Sequence, residues 1–534
     1  MKSEPSALRD FTVDRRVWLL SGVAIGIGAC STVLAVLLLR CIALSTNLFY
    51  YHRFSVAAVS PAGSALGHWM VVVPVVGGLL VGLMARFGSD KIRGHGIPEA
   101  IEAILLHRAK VDPKIAVLKP ISAAIAIGSG GPFGAEGPII MTGGAAGSLI
   151  GQWMHVTDAE RTTLLVAGAA AGMSAVFATP VAAILLAVEL LLFEWRPRSL
   201  IPVAVASATA GLLRVYWLGE GPLFQMPAIG GAHRIAFAMG ALLLGAFVGL
   251  VSAGMSRMMY AFEDLFEHLH VHWMWWPAIG GIGIGVGGLF FPRGLGVGYD
   301  NIAELLSGHA TMGLIIGILV AKSLMWAFSL GSGTSGGVLA PLLMIGGAVG
   351  AMAGHVAHAS VEAQAFWALI GMGAMLAGAL GVPLTAILFS LEVTHCLPAL
   401  LPLTIACMAS YLVTALLMKR SILTEKLGRR GYHLTREYGV DPLEMVIVRD
   451  LMSVVRDGEA GVVLPEFYAY ADETARGAAE TMATEGLATM SVVDRDSGRV
   501  CGSISLHDLL RGRTRSVERE RERLRLFGYV RPGV

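Results

Sequence analysis

Glu136 is the residue of this sequence whose type and setting promise chemistry. It stands in Gly128-Ser-Gly-Gly-Pro-Phe-Gly-Ala-Glu-Gly-Pro138, at the head of an apolar run over 137–154. Glycine lets a backbone turn tightly and approach a ligand. A helix start leaves N–H groups unpaired and carries partial positive charge. Several such starts aimed at one point make an anion site without a buried full cation. Ionised, the Glu136 carboxylate can fill that site itself; protonated, it can swing away and leave the site to a permeant anion. The plainer alternative is a helix-start carboxylate satisfied by the dipole. Two further glycine-rich segments, 94–98 and 331–341, also precede helix-compatible runs. Glu136, Glu189 and Glu392 are the few acids in apolar runs, so anion passage is expected rather than cation passage. Glu189 and Glu392 each fall late in a helical run, where capping or an interhelical contact is expected of them.

These residues are placed by a chain that must live in a bilayer. Of 534 residues, 55% are hydrophobic and only 15% charged, which excludes a soluble globular enzyme. Charge is unevenly spread: 29 of the 94 residues from 441 onward are charged, against 49 of the 440 before them. That split predicts a large membrane domain followed by a small soluble one. Val17–Leu39 has no charge for 23 residues, too long for the apolar core of a signal peptide, and is read as a retained first membrane helix. Basic clusters at Lys2/Arg9/Arg15/Arg16, Arg86/Lys91/Arg93, Arg196/Arg198 and Lys419/Arg420/Lys426/Arg429/Arg430 mark the cytoplasmic side and put both termini there. The run at 162–193 has room for two short helices, and no barrel-type alternation appears. Net charge of +2 says little about partners, and no domain-wide basic patch points to nucleic acid, so none is expected; five scattered cysteines show neither a disulfide framework nor a metal pair, and no cofactor is expected.

An internal repeat organises the membrane part. Gly128–Pro138 returns as Gly331-Ser-Gly-Thr-Ser-Gly-Gly-Val-Leu-Ala-Pro341, 203 residues later. Pro180-Val-Ala-Ala-Ile-Leu-Leu-Ala-Val-Glu189 returns as Pro383-Leu-Thr-Ala-Ile-Leu-Phe-Ser-Leu-Glu392 at the same spacing. Repeated halves are a common transporter plan, and inverted halves bring equivalent loops together near the bilayer midplane.

The segments resemble the CLC family of chloride channels and chloride/proton exchangers. Gly94-His95-Gly96-Ile97-Pro98 resembles its GSGIP segment, Gly134-Ala135-Glu136-Gly137-Pro138 its GREGP segment, and Gly337-Val338-Leu339-Ala340-Pro341 its GxFxP segment. The resemblance implies an all-α polytopic protein of inverted-repeat fold with broken helices, a homodimer with one pore per subunit, and a place in the inner (plasma) membrane. It implies domains at 1–16 (cytoplasmic tail), 17–435 (anion transport, repeats at about 17–218 and 236–435) and 446–534. It also implies Glu136 as gate, and an anion-binding wall of His95, Gly96, Ile97, Gly134, Ala135, Gly137, Val338, Leu339 and Leu423. Lys119 matches a lysine common in the family.

Several positions depart from the family pattern. His95 replaces a serine, Ala135 an arginine, Leu339 a phenylalanine and Leu423 the tyrosine that closes the inner side. Leu190 replaces the internal glutamate that passes protons in the exchangers, which favours a passive channel or uniporter over its alternative, a proton-coupled chloride exchanger. A neutral His95 ring can donate to an anion as a hydroxyl does. Protonated, near pH of about 6.5 when unperturbed, it adds positive charge. His95 is thus expected to make transport pH-dependent or to favour another anion such as bicarbonate or nitrate; the plainer alternative is a solvated vestibule histidine.

The stretch 446–512 reads as a small mixed α/β unit, with a segment at 446–453, a helix-like stretch over 474–485, then 490–494, a Ser-Gly turn and 500–510, and looks like one CBS motif. Such motifs work in pairs and bind adenine nucleotides, which points to pairing across the dimer. Arg513–Arg525 alternates charges as a solvated helix does. Two remote alternatives are a cation transporter and an intramembrane serine protease using Ser335 with His355.

Overall fold

The computed structural model describes residues 15–154, 156–227, 235–429, 443, 446–454 and 466–512. The chain divides into two compact units, Met1–Thr435 and Arg436–Val534. Both the predicted terminal helix, Arg513–Arg525, and the first part of the N-terminal tail lie outside the described residues.

The membrane unit is helical throughout. Its first half runs α1 (Arg16–Tyr51), α2 (Val72–Phe87), α3 (Ile97–Leu106), α4 (Pro113–Gly128), α5 (Glu136–Trp153), α6 (Asp158–Phe177), α7 (Pro180–Leu186) and α8 (Pro197–Leu218). Its second half runs α9 (Ile235–Glu267), α10 (Trp276–Phe290), α11 (Tyr299–Ser307), α12 (Met312–Gly317), α13 (Ser323–Gly331), α14 (Leu339–Val356), α15 (Val361–Leu380), α16 (Pro383–Thr394), α17 (Leu400–Leu417) and the short α18 (Glu425–Arg429). Among the described residues eight helical segments are long and apolar enough to span a bilayer. The apolar run at 162–193 does break in two, because Ala178 turns left-handed (φ 59°) and Pro180 starts a new helix. The apolar run at 365–393 breaks in the same way at Gly381 (φ 70°) and Pro383.

Equivalent elements of the two halves meet one another, and the contacts are reciprocal. Gly78 of α2 packs on the Pro277 carbonyl, and Gly281 of α10 packs on the Pro74 carbonyl. Gly82 meets Met274, and Gly285 meets Val71. Residue numbers rise along one helix as they fall along the other, so these repeat-equivalent helices cross antiparallel. A two-fold rotation perpendicular to the helices is what produces such self-complementary pairing. For membrane-crossing helices that axis lies in the membrane plane, which is the inverted arrangement. Glycine permits the approach, since a side chain at any of these four positions would strike a backbone atom.

The same exchange fastens the short helices. Glu189, on the π-helical turn Ala187–Leu192, accepts the N–H groups of Leu384 (3.2 Å) and Thr385 (2.8 Å) at the start of α16. Glu392 accepts the N–H groups of Val181 (3.0 Å) and Ala182 (2.8 Å) at the start of α7. Each carboxylate fills the unpaired donors of the other half's helix. Glu189→Ala or Glu392→Ala should each cost about 1–2 kcal/mol, the usual value of a lost N-terminal cap. A lowered thermal unfolding midpoint in detergent is the expected reading; an unchanged midpoint in both variants would reject the clamp.

The tail unit is built on a four-stranded sheet. Its strands are β1 (Ser453–Val454), β2 (Tyr468–Tyr470), β3 (Thr489–Val493) and β4 (Val500–Ser505), in the order β1-β4-β3-β2, with a helix at Ala475–Glu485. β2 and β3 are parallel and the other pairs antiparallel. Val492, Ile504, Ala478 and Met482 form its core. The Ser505 hydroxyl donates to Asp508 at 2.6 Å and holds that carboxyl below the usual carboxylate range.

Candidate functional site

Three helix starts converge on Glu136. α3 begins at Ile97, α5 at Glu136 and α14 at Leu339. The two repeat-equivalent loops are zipped together where they meet: Gly134 N–H donates to the Gly337 carbonyl (3.2 Å) and Gly337 N–H to the Gly134 carbonyl (2.8 Å). The Glu136 side chain is fully buried, and its Oε1 accepts the Ala340 N–H of α14 at 3.1 Å. Oε2 has no hydrogen-bond partner among the described residues. The carboxylate therefore takes a donor that a helix start offers to anions, and it takes only part of what is offered.

The third loop closes against the same point. A side chain on Gly137 would fall on the His95 carbonyl oxygen, and one on Gly96 would come within 2.5 Å of the Gly137 carbonyl oxygen. Gly96 also has a positive φ of 90°, which favours glycine. Its N–H donates to Glu99 Oε2 at 2.8 Å, and Glu99 Oε1 pairs with Lys426 at 2.8 Å. From beneath, the buried Lys119 ammonium donates to the carbonyls of Ile92 and Gly94, both at 2.8 Å. Lys322, 203 residues on, does the same for Gly296 (3.0 Å) and Val297 (3.3 Å) in the second half.

The structure brings most of the expected wall together. His95, Gly96 and Ile97 on the first loop, Gly134, Ala135 and Gly137 around the gate, and Val338 and Leu339 opposite are all buried. Leu423 is buried too, in the turn after α17, where Ile422 N–H bonds to the Ala379 carbonyl and the Tyr260 hydroxyl bonds to the Ile422 carbonyl. Three residues later Lys426 Nζ comes to 2.9 Å from the Cβ position of Gly94, so that turn lies beside the His95 loop. Leu190 is fully buried in the apolar core on the π-helical turn and offers no titratable group.

A cavity of about 810 Å³ opens onto these loops. Gly94, His95 and Gly333 form its inner wall, and Arg93 lies over the rings of Trp273 (4.7 Å) and Trp276 (5.5 Å) in its side. The Glu99–Lys426 pair, Lys322 and the vestibule acids of α9 were not anticipated from the sequence. Lys322 had a signal, the 203-residue spacing from Lys119; the others join residues far apart in the chain.

The protease arrangement fails on geometry. The Ser335 hydroxyl pairs with Ser122 at 3.2 Å. His355 sits in the last turn of α14, roughly 24 Å of helix beyond its start at 1.5 Å per residue.

A family model described as voltage gated chloride channel matches residues 77–415. An H(+)/Cl(-) exchange transporter, ClcA, of Citrobacter koseri is 30% identical over 375 residues, covering 66% of this chain and 78% of that relative. A ClcB-like chloride channel protein of Ralstonia nicotianae is 29% identical over 380 residues, covering 68% of this chain and 87% of that protein. Among solved structures, a slow cyanobacterial Cl-/H+ antiporter superposes with a TM-score of 0.68 at 22% identity, covering 78% of this chain and 99% of that one. A CLC-type fluoride/proton antiporter gives 0.66 at 18% identity, covering 77% and 98%. At those identities the likeness speaks for the fold.

Proposed function

Because this chain belongs to the voltage-gated chloride channel (CLC) family, whose members carry anions across membranes and are not enzymes, we propose that it exchanges chloride for protons along a path gated by Glu136. The observation that carries this is the buried Glu136 carboxylate, lodged at the zipped loops on the Ala340 N–H with its second oxygen unpartnered. Ionised, it competes with the permeant anion for the helix starts. Neutral, it has no claim on them and takes a proton with it as it leaves. The anion then meets the wall of His95, Gly96, Ile97, Gly134, Ala135, Gly137, Val338 and Leu339, with Leu423 toward the inner side. Leu423 in place of a hydroxyl weakens binding there. Exchange is favoured by the relative of 30% identity that is named an exchanger.

The basic residues Lys91, Arg93, Lys426 and Arg429 around the cavity support a mouth on the cytoplasmic side of the inner membrane. Both termini lie on the same side, each subunit of a homodimer carries its own path, and the tail acts as a CBS-like module pairing with a second copy.

A second reading is passive conduction, favoured by Leu190: an apolar, fully buried side chain passes no proton. Purified protein in chloride-loaded liposomes, read with chloride and pH electrodes together, separates the two. Chloride efflux with proton uptake is the expected result. Efflux without proton movement would establish the passive reading instead. Absent chloride flux with bicarbonate or nitrate flux intact would reject chloride as the anion.

A further inference from the structure

We propose that His95 is the internal proton-transfer group of this chain, taking protons from the acid-lined cavity and passing them toward Glu136. This rests on the exchange reading above. A titratable group on the way relays a proton to Glu136 from the cavity side, and the fully buried, apolar Leu190 is not one. His95 is 4% exposed, lines the inner wall of the cavity, and its Nδ1 is buried without a hydrogen-bond partner among the described residues. The residue is pressed directly on the gate, since its carbonyl oxygen occupies the space a side chain on Gly137 would need.

The cavity itself is built for protons more than for anions. Seven carboxylates line it against five lysine and arginine side chains. A mouth serving anions alone is expected to be lined by the opposite excess, since a cleft concentrates ions opposite in sign to its walls. Some of those acids are spent: Glu99 is paired with Lys426 and Asp264 with Arg429. Glu263 and Glu267, on the last turns of α9, have no ion pair among the described residues and face the same cavity. The charges nearest the ring come from three elements: Glu99 of α3, Lys119 of α4 and Lys426 of α18. Burial, reinforced by the two cations, keeps the ring neutral at rest, and the carboxylate steadies the transient cation.

An imidazole suits the task because it accepts on one nitrogen and releases from the other. The unprotonated ring nitrogen takes a proton from cavity water and becomes part of an imidazolium. The proton on the other nitrogen then passes, directly or through one water, to the Glu136 carboxylate. Glu136 becomes the neutral acid, and His95 returns to a neutral ring as the other tautomer.

The test reads protons moved per chloride in liposomes, not the chloride rate. His95→Ser should bring that ratio down to the level of protein-free vesicles, and adding Leu190→Glu to it should restore coupling. His95→Asn serves as a second variant if the serine variant does not assemble. Wild-type coupling retained in both single variants would overturn the role of His95 while leaving exchange intact. A wild type that moves no protons would overturn the exchange reading and this proposal with it.

Discussion

Gly137→Ala should abolish transport, while Gly134→Ala, three residues away, should leave the path open. Neither glycine has a positive φ, so alanine is conformationally acceptable at both and only space decides. At Gly137 the new methyl would land on the His95 carbonyl oxygen, with the Gly337 backbone 3.4 Å away. A backbone atom cannot rotate aside, so one loop must move away from the other. Overpacking a tight interior costs about 1–3 kcal/mol, comparable to the two loop-to-loop hydrogen bonds at about 1 kcal/mol each. The convergence of the three helix starts would be lost with it. At Gly134 the three nearest atoms to the new methyl all belong to the Glu136 carboxyl group. That is the far end of a flexible side chain, which yields by swinging out of its seat. Anion efflux from liposomes should therefore fall to background in Gly137→Ala and persist in Gly134→Ala with proton movement reduced. Normal transport by Gly137→Ala would show that the loops are not held as closely as described.

Replacing the gate itself should have the other large effect. Glu136→Ala removes the carboxylate and frees the Ala340 N–H for a permeant anion. Glu136→Gln removes the charge while keeping the volume. Both variants should conduct anions with proton movement at the level of protein-free liposomes. The pH dependence follows from the sign of the charge. In the wild type, acid converts the carboxylate to a neutral acid that no longer competes for the helix starts, so anion flux rises as pH falls. In both variants nothing at that position titrates, and the rise should be lost or reduced to what His95 contributes. A wild-type profile in Glu136→Gln, with coupling retained, would remove Glu136 from the gate.

Much of this is legible in the sequence alone. The 203-residue repeat, the three glycine-rich helix starts, Glu136 among them and the apolar spans are local properties, written in residue type and short spacing. Glu189 and Glu392 could be recognised as twins and as capping residues, because late helical carboxylates seek N–H donors. Their actual partners could not be named, since each caps a helix of the other half, some 195–211 residues distant. Lys322 sits at the repeat spacing from Lys119, but its acceptors are backbone carbonyls and leave no side-chain signature in the sequence.

By itself the sequence determined that the chain is a duplicated membrane protein, where its helices start, and which carboxylate stands at a helix start. Only the tertiary structure decided that the halves are inverted and that their equivalent loops face each other across the Gly134–Gly337 pair. A repeat along a chain is a shift in number and carries no direction in space. The rotation relating the halves is set by which small-residue faces can approach, as at Gly78 and Gly281. For the same reason only the fold could show His95 on a cavity wall beside acids of α9, groups brought together by the packing of distant segments.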